Sequence, residues 1–307
     1  MSFSQTHTGL SITGEKLKLV ELTYGKDGIL LENIDEEYFE EYLNFFNKET
    51  KFNSILQKAF DELLIRKPLK NKIVSFALPY DVFKFAELPF DHSLIKSDLL
   101  DQLKWELAVL YPSDIKREYL LQYIEVNDDT FNNSDTAFVI AAMKKQIQTI
   151  HKFCVRNNLK LKYIDYAHFA VNNLIKASDA KIEDGQNISL FIGNNYFSFH
   201  ILKQNSPVFS YLKKIINAAD IIPQIKIVVE KLNQFNFDIT SANNFYISGE
   251  NISDKLVKQI NDSFNINFVK LNPFSEFVVD PALVDSKFLT KDYNSFADAA
   301  GMSLRLL

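Results

Sequence analysis

Gly9-Leu10-Ser11-Ile12-Thr13-Gly14-Glu15-Lys16-Leu17-Lys18-Leu19-Val20 reads as a short apolar strand, a tight turn at a glycine, and a second strand of alternating character. About 180 residues later, Ile188-Ser189-Leu190-Phe191-Ile192-Gly193-Asn194-Asn195-Tyr196-Phe197-Ser198-Phe199 repeats that plan. A strand–turn–strand opening each half of a 307-residue chain predicts two related lobes; two unrelated hairpins are the plainer alternative.

A hydrophobic content of 47% suffices for one large or two medium cores. The 27 Phe and 13 Tyr are spread along the chain, as genome composition would spread them, and mark no one surface. A net charge of -5, a pI near 5.6 and the absence of a basic stripe argue against a nucleic-acid partner. Cys154 stands alone, which excludes a disulfide framework and a cysteine-based metal site. His7, His92, His151, His168 and His200 lack metal-ligand spacing. No Gly-x-Gly-x-x-Gly or Walker pattern occurs, so spacing alone predicts neither a metal nor a catalytic residue. The first eight residues carry no charged leader before an apolar run, and no apolar run reaches ~18 residues. The expected location is therefore the cytoplasm, without membrane insertion.

Strands are expected at about 8–13, 16–23 and 27–34, with a turn at Gly25-Lys26-Asp27-Gly28, then helices at 36–47 and 53–65, the second capped by Asn53. Strands follow at 73–78 and 82–88. Asp91 or Ser93 caps a helix that buries Ile95, Leu99, Leu103 and Leu107. Trp105 on that helix reads as a core anchor or, alternatively, a partner contact. A strand at 119–126 and a polar run at 127–135, including Asp128-Asp129, come next. Alternating strands and helices at 137–143, 144–157, 160–165 and 166–178 lead to a linker at 180–185. Beyond the second hairpin, strands at 207–212 and 244–248 and helices near Pro223, at 252–263 and at 293–306 complete the chain.

In this order the blocks resemble the PilM-like proteins of type IV pilus assembly, members of the actin-like ATPase clan related to FtsA. Gly9 to Leu22 aligns with that family's opening Gly-Leu-Asp-Ile-Gly and following Val-Lys-Leu-Val-Glu-Leu. Leu88-Pro89 through Trp105-Glu106 to Pro112, Ala141-Ala142 with Asn158-Leu159 and Asp165, Ile247-Ser248-Gly249 with Leu256 and Pro273-Phe274, and Ala299 through Arg305 resemble its later blocks. The resemblance implies an α/β fold of mixed sheets: a two-lobed actin-like architecture with an inserted small subdomain of the FtsA/PilM type. Residues 1–79 and 135–184 would form the first lobe, with 293–307 packing back on it. Residues 80–134 would be the subdomain and 185–292 a shortened second lobe.

The family holds Mg²⁺-ATP with an aspartate from each hairpin; here those positions are Ser11 and Phe191. A hydroxyl is a weak, neutral ligand for a hard cation, and a phenyl ring is none. Thr13 replaces a turn glycine, although Gly14 follows, and Glu250 adds bulk and charge at the adenosine-site turn. The stretch from Tyr211 to Asn243 is short, and the family's adenine-flanking helix has no match. Lys18, Gly14, Gly193, Asn194 and Gly249 match vestigial nucleotide-binding positions. Lys18 also reads as a solvated strand residue, and Gly193 as a requirement of any such turn. The resemblance thus implies a pseudo-ATPase adaptor without cofactor, with weak binding of ATP and Mg as the alternative and an active kinase or ATPase of the clan as a third reading. Its partner would be a PilN-like inner-membrane protein, whose short cytoplasmic tail lies between the first lobe and the subdomain. The chain would then be peripheral to the membrane through that partner, with homo-oligomerisation left open. The final Arg305-Leu306-Leu307 carries too little basic charge for an FtsA-like anchor. Phe83, Phe85, Trp105, Tyr119 and Tyr123, on or beside the strands 82–88 and 119–126, are the expected partner contacts.

Overall fold

The computed structural model describes residues 5–26, 28–112, 118–126, 130–131, 135–178, 185–204 and 206–306. Asp27 of the expected first turn, Asp128 and Asp129 with most of the polar run, the linker 180–184 and Leu307 lie outside them. The chain opens with strands β1 (Gln5–Ile12), β2 (Lys16–Gly25) and β3 (Gly28–Tyr38), helix α1 (Glu49–Arg66) and β4 (Ile73–Leu78). Next come β5 (Phe83–Pro89), α2 (Lys96–Leu110), β6 (Tyr119–Val126) and β7 (Thr136–Met143). The first half closes with α3 (Lys144–Arg156), β8 (Lys160–Tyr166) and α4 (Ala167–Ser178). The second half has β9 (Gln186–Ile192), β10 (Tyr196–Lys203), β11 (Ser206–Lys214), α5 (Ile221–Gln234), β12 (Asn244–Gly249), α6 (Asp254–Phe264) and β13 (Val269–Lys270). It ends in β14 (Val278–Val279), α7 (Lys287–Thr290) and α8 (Ala297–Ser303).

One sheet runs β14-β3-β2-β1-β4-β8 and the other β11-β10-β9-β12-β13. Each is built around an antiparallel meander whose first strand pairs in parallel with the strand after a helix, β1 with β4 and β9 with β12. The lobes are therefore related, as the twin hairpins imply. Strands buried on both faces explain the near-continuous apolar runs, such as the fully buried Leu10, Leu17, Leu19 and Val20.

Helix α8 packs directly on β1 and α4. Gly9 makes this possible, since a Cβ there would lie 1.9 Å from the Ala299 carbonyl oxygen; a Cβ on Gly301 would similarly meet Ala170. His7 Nδ1 lies 2.8 Å from the Ser303 carbonyl oxygen and helps seat the helix.

A third sheet, β5-β7-β6, carries α2 on one face. Leu99, Leu103 and Leu107 are buried, the face that the i+4 spacing predicts. The sequence places this subdomain at 80–134, but its central strand is β7, from beyond that boundary, because β5 and β6 both pair with β7. β14, from the segment assigned to the second lobe, pairs with β3 of the first.

Four local expectations are corrected. Residues 36–38 continue β3 rather than starting a helix. The inward residue there is Glu36, neutralised by Lys16 at 2.8 Å, so no apolar alternation marks the strand. Arg66 of α1 fastens its outer side through Asp35 and Glu37, each at 2.6 Å. Asn53 is buried inside α1, which begins four residues earlier. Asp91 accepts from the Ser93 amide and hydroxyl one turn before α2; the cap position is Ile95, which is exposed rather than in the core. Trp105 is 67% exposed, not a core anchor. Two residues beyond Leu103 is about 200° around a helix, so the buried leucine face turns Trp105 outward.

Candidate functional site

The turns of the two hairpins, through residues 13–14 and 193–195, line a common cleft of about 450 Å³ with Phe191, Tyr196, Glu250 and Asp298. Lys18 and Ser11 are register partners at the end of the β1–β2 ladder, and Phe191 and Ser198 are their counterparts in β9–β10. The repeat of the fold thus brings the two positions singled out by sequence, Ser11 and Phe191, to equivalent places.

Lys18 is fully buried, which overturns its reading as a solvated residue. Its ammonium has three N–H donors. They meet Glu250 Oε1 at 2.9 Å, the Asp298 carboxylate at 2.9 Å, and the Ser295 carbonyl. Burial alone would push its pKa down, but Asp298 and Glu250 more than offset this and raise it. Burial would likewise raise Glu250, yet Lys18 and Lys16 hold it below the usual carboxylate range. Both shifts describe an ionised pair. Lys16 bridges Glu250 at 3.0 Å and Glu36 at 2.8 Å, and Ser11 Oγ donates to Asp298 at 2.6 Å. Two lysines therefore face three carboxylates in a closed cluster. Lys16, Lys18 and Glu36 come from the first sheet, Glu250 follows β12 of the second, and Asp298 lies on α8.

Of the other nucleotide-binding candidates, Gly14 and Gly193 line the cleft, but a tyrosine ring covers each. A Cβ at Gly14 would lie 2.2 Å from the ring of Tyr42, and one at Gly193 would lie 2.1 Å from that of Tyr196. The amides of Glu15 and Lys16 donate to the Thr13 hydroxyl at 3.1 and 3.0 Å, so the residue replacing the turn glycine satisfies them. Gly249 has a φ of 116° and lies against the Ile192 carbonyl, a conformation and approach only glycine accepts. Asn194 lines the cleft, and its buried Nδ2 has no partner among the described residues. Among the described residues, no three His, Cys, Asp or Glu side chains are placed to hold a metal ion.

Phe191 has a packing role. With His168, His200 and Phe169 it forms a four-ring stack between α4 and strands β9 and β10. The two imidazoles lie 3.8 Å apart at 7°, with Phe191 on His168 at 5.6 Å and Phe169 on His200 at 5.1 Å. His168 bonds Ser198 and Ser189 at 2.6 and 2.9 Å, and Asn172 donates to His200 at 2.9 Å. Burial drives both pKa values down, that of His200 to about 3. These histidines are thus neutral when folded and take up protons when unfolded below about pH 6.5. Stability should hold above that pH and fall as the pH drops from about 6.5 toward 3, by up to about 1.4 kcal/mol per unit for each histidine. Urea midpoints between pH 7.5 and 5 check this, and His200→Phe should flatten the slope. An unchanged midpoint across that range would refute the stack's neutral state.

The expected partner contacts do not form one groove. Phe83 and Phe85 pack on Tyr166 at the junction of subdomain and first lobe, at 6.0 and 4.8 Å. Tyr123 packs on Phe90 at 5.5 Å, Tyr119 begins β6, and Trp105 lies on the outer side of α2.

The fold is the two-lobed actin-like one. The structure described as "PilM-PilN type IV pilus biogenesis complex" is similar with a TM-score of 0.71, over 97% of this chain and 98% of that one, at 19% identity. A Bacteroides thetaiotaomicron protein of actin-like ATPase fold and unknown function is similar at TM-score 0.52 and 12% identity, covering 88% and 91%. The ethanolamine utilization protein EutJ from Carboxydothermus hydrogenoformans gives 0.52 and 7%, covering 98% and 89%. No protein-family model matches the chain, and no curated protein matches it, so the likeness is one of fold. No helix among the described residues is long and apolar enough to cross a membrane.

Proposed function

We propose that this chain is a non-enzymatic adaptor of a type IV pilus or type II secretion-like inner-membrane assembly, a pseudo-ATPase whose lobes are joined by its own side chains instead of by nucleotide. The saturated ammonium of Lys18 carries the reading. The lysine that would meet a phosphate gives all three donors to the protein, and the carboxylates around it outnumber the lysines. A phosphate brought there would face repulsion and would have to break buried ion pairs. With Ser11 and Phe191 in place of metal-binding carboxylates and both turn glycines covered, these residues do not fit Mg²⁺-ATP. Purified protein should show no Mg²⁺-dependent hydrolysis above background, and calorimetry no ATP binding tighter than about millimolar, ~4 kcal/mol. A micromolar dissociation constant lost in Lys18→Ala would overturn the reading.

The PilM–PilN neighbour supports a PilN-like membrane protein as partner. We infer that the partner binds through a short cytoplasmic tail, which would hold this chain at the inner membrane from the cytoplasmic side. A groove of about 380 Å³ between the first lobe and the subdomain suits such a tail. Phe45, Phe46, Glu118 and Met143 line it together with Lys144 and Lys145 at the start of α3. Phe46 is 51% exposed, so its loss should spare the fold. Phe46→Ala should weaken capture of the tail about tenfold or more, the effect of one lost aromatic anchor. Nucleotide should not matter. Equal capture by Phe46→Ala, Lys144→Glu and wild type would move the interface elsewhere.

A second reading, weak ATP binding for structure or regulation, is favoured by the cleft beside the ion cluster and by the Nδ2 of Asn194, which has no partner among the described residues. A rise in melting temperature with Mg²⁺-ATP, without its consumption, would support it.

A further inference from the structure

A second groove, of about 470 Å³, lies between the subdomain and the second lobe. It shares no lining residue with the groove offered to the tail, and its ligand is independent of the adaptor role. Its two sides are β5 and β11, each the edge strand of its sheet among the described residues. The rings of Phe85, Phe138 and Phe169 line it together with Tyr80, Tyr111 and Tyr211. A lysine ammonium sits over each of the three tyrosines: Lys214 on Tyr80 at 5.5 Å, Lys84 on Tyr111 at 4.9 Å, and Lys231 on Tyr211 at 5.5 Å. Lys213 and Lys214, both exposed, end β11. Glu87 is the one carboxylate among the lining residues.

Rings with cations on their faces suit an apolar ligand that also carries negative charge. An edge strand adds a requirement: its main-chain groups pair with another backbone. A single-stranded nucleic acid would use the rings and lysines but leave the strand edge unpaired, so a peptide fits better. On β5 the Phe85 carbonyl already accepts from the Tyr111 hydroxyl at 2.8 Å, which leaves β11 as the edge to extend.

We propose that this groove receives an extended segment of a partner protein that adds a strand to β11 and alternates apolar with acidic side chains. The apolar residues would meet the rings and the carboxylates the lysines, the period of two being that of any strand. Lys84 lines the groove, and Lys213 and Lys214 follow its lining residues Ser210, Tyr211 and Leu212 on β11, so these lysines would set selectivity and association rate, and binding weakens with salt.

Phage-displayed random dodecapeptides, panned against the full chain, provide the test. Enriched sequences should alternate apolar and acidic residues. A synthetic peptide of the consensus should bind at least about tenfold more weakly to Lys214→Glu and to Tyr211→Ala, and more weakly in high salt. Lys144→Glu, in the other groove, should bind it as wild type does. Tyr211 lines the groove and Lys214 lies further along β11; both are at least partly exposed, and melting curves verify that each variant is folded. The proposal fails if nothing is enriched, or if the enriched peptides bind Lys214→Glu and Tyr211→Ala as tightly as wild type. It fails equally if Lys144→Glu abolishes binding, which would assign the peptide to the tail groove. Displacement of the peptide by an oligothymidine with the same variant dependence would identify the groove as a nucleic-acid site instead.

Discussion

Lys18→Met is expected to destabilise the protein by about 3–5 kcal/mol, with or without nucleotide. Removing one partner of a buried ionic cluster leaves the others charged and unpaired, and this costs more than the pair itself contributes. Among the described residues, Asp298 in this variant keeps the Ser11 hydroxyl and its own backbone neighbour Ala299, and the Glu250 carboxylate keeps Lys16. For a chain of this size, each kcal/mol moves the melting temperature by roughly 2–4 °C, so a fall of about 10 °C is the expected reading. Glu250→Gln should cost less, because it removes a charge from a cluster with one carboxylate to spare and keeps the shape. The comparison is diagnostic. If Lys18 served a nucleotide, Lys18→Met would cost ATP affinity and leave the free protein's stability nearly unchanged. Wild-type melting in this variant would sink the idea that the lobes are joined by their own ions.

Leu103→Asp should unfold the small subdomain while the lobes persist. Leu103 is fully buried in a core whose other buried members, among the described residues, are Leu88, Phe90, Leu99, Ala137 and Val139. A carboxylate there has no cation among these residues, and a core this small has little to lose before it opens, so the cost should exceed about 4 kcal/mol. Proteolysis should then cut within residues 86–126, and hydrogen exchange should accelerate in α2 and β6 but not in β1 or β9. Trp105→Asp is the control. At 67% exposure it should stay within about 0.5 kcal/mol of wild type. Native protection of α2 in Leu103→Asp would mean that the leucine face is not the packing face.

These two residues also mark where the sequence is legible and where it is not. Leu99, Leu103 and Leu107 announce a buried face because their spacing is the helix's own period. The twin hairpins announce related lobes because strand, turn and strand are contiguous, whereas the parallel fourth strand of each sheet is a tertiary pairing that the structure adds. Glu36 shows the first failure: a strand whose inward residue is a paired glutamate lacks the alternation that defines a strand in sequence. Trp105 shows the second, since size and apolarity suggest burial while the helical phase of its neighbours places it outside.

The sequence by itself determined the twin strand–turn–strand openings, the element types over most of the chain, and the uncharged side chains of Ser11 and Phe191 where the resemblance to PilM-like proteins implies carboxylates. The first two are properties of local periodicity, and the third is set by the chemistry of those two residues. Only the tertiary structure decided what stands in place of those carboxylates. Glu250 reaches Lys18 across 232 residues of chain and Asp298 reaches it across 280, while Phe191 joins a stack assembled from α4, β9 and β10. No linear spacing encodes such contacts. A buried lysine's partners are set by which backbones the two sheets and α8 bring within about 3 Å, and charge so deeply desolvated is held only where that convergence supplies counter-ions.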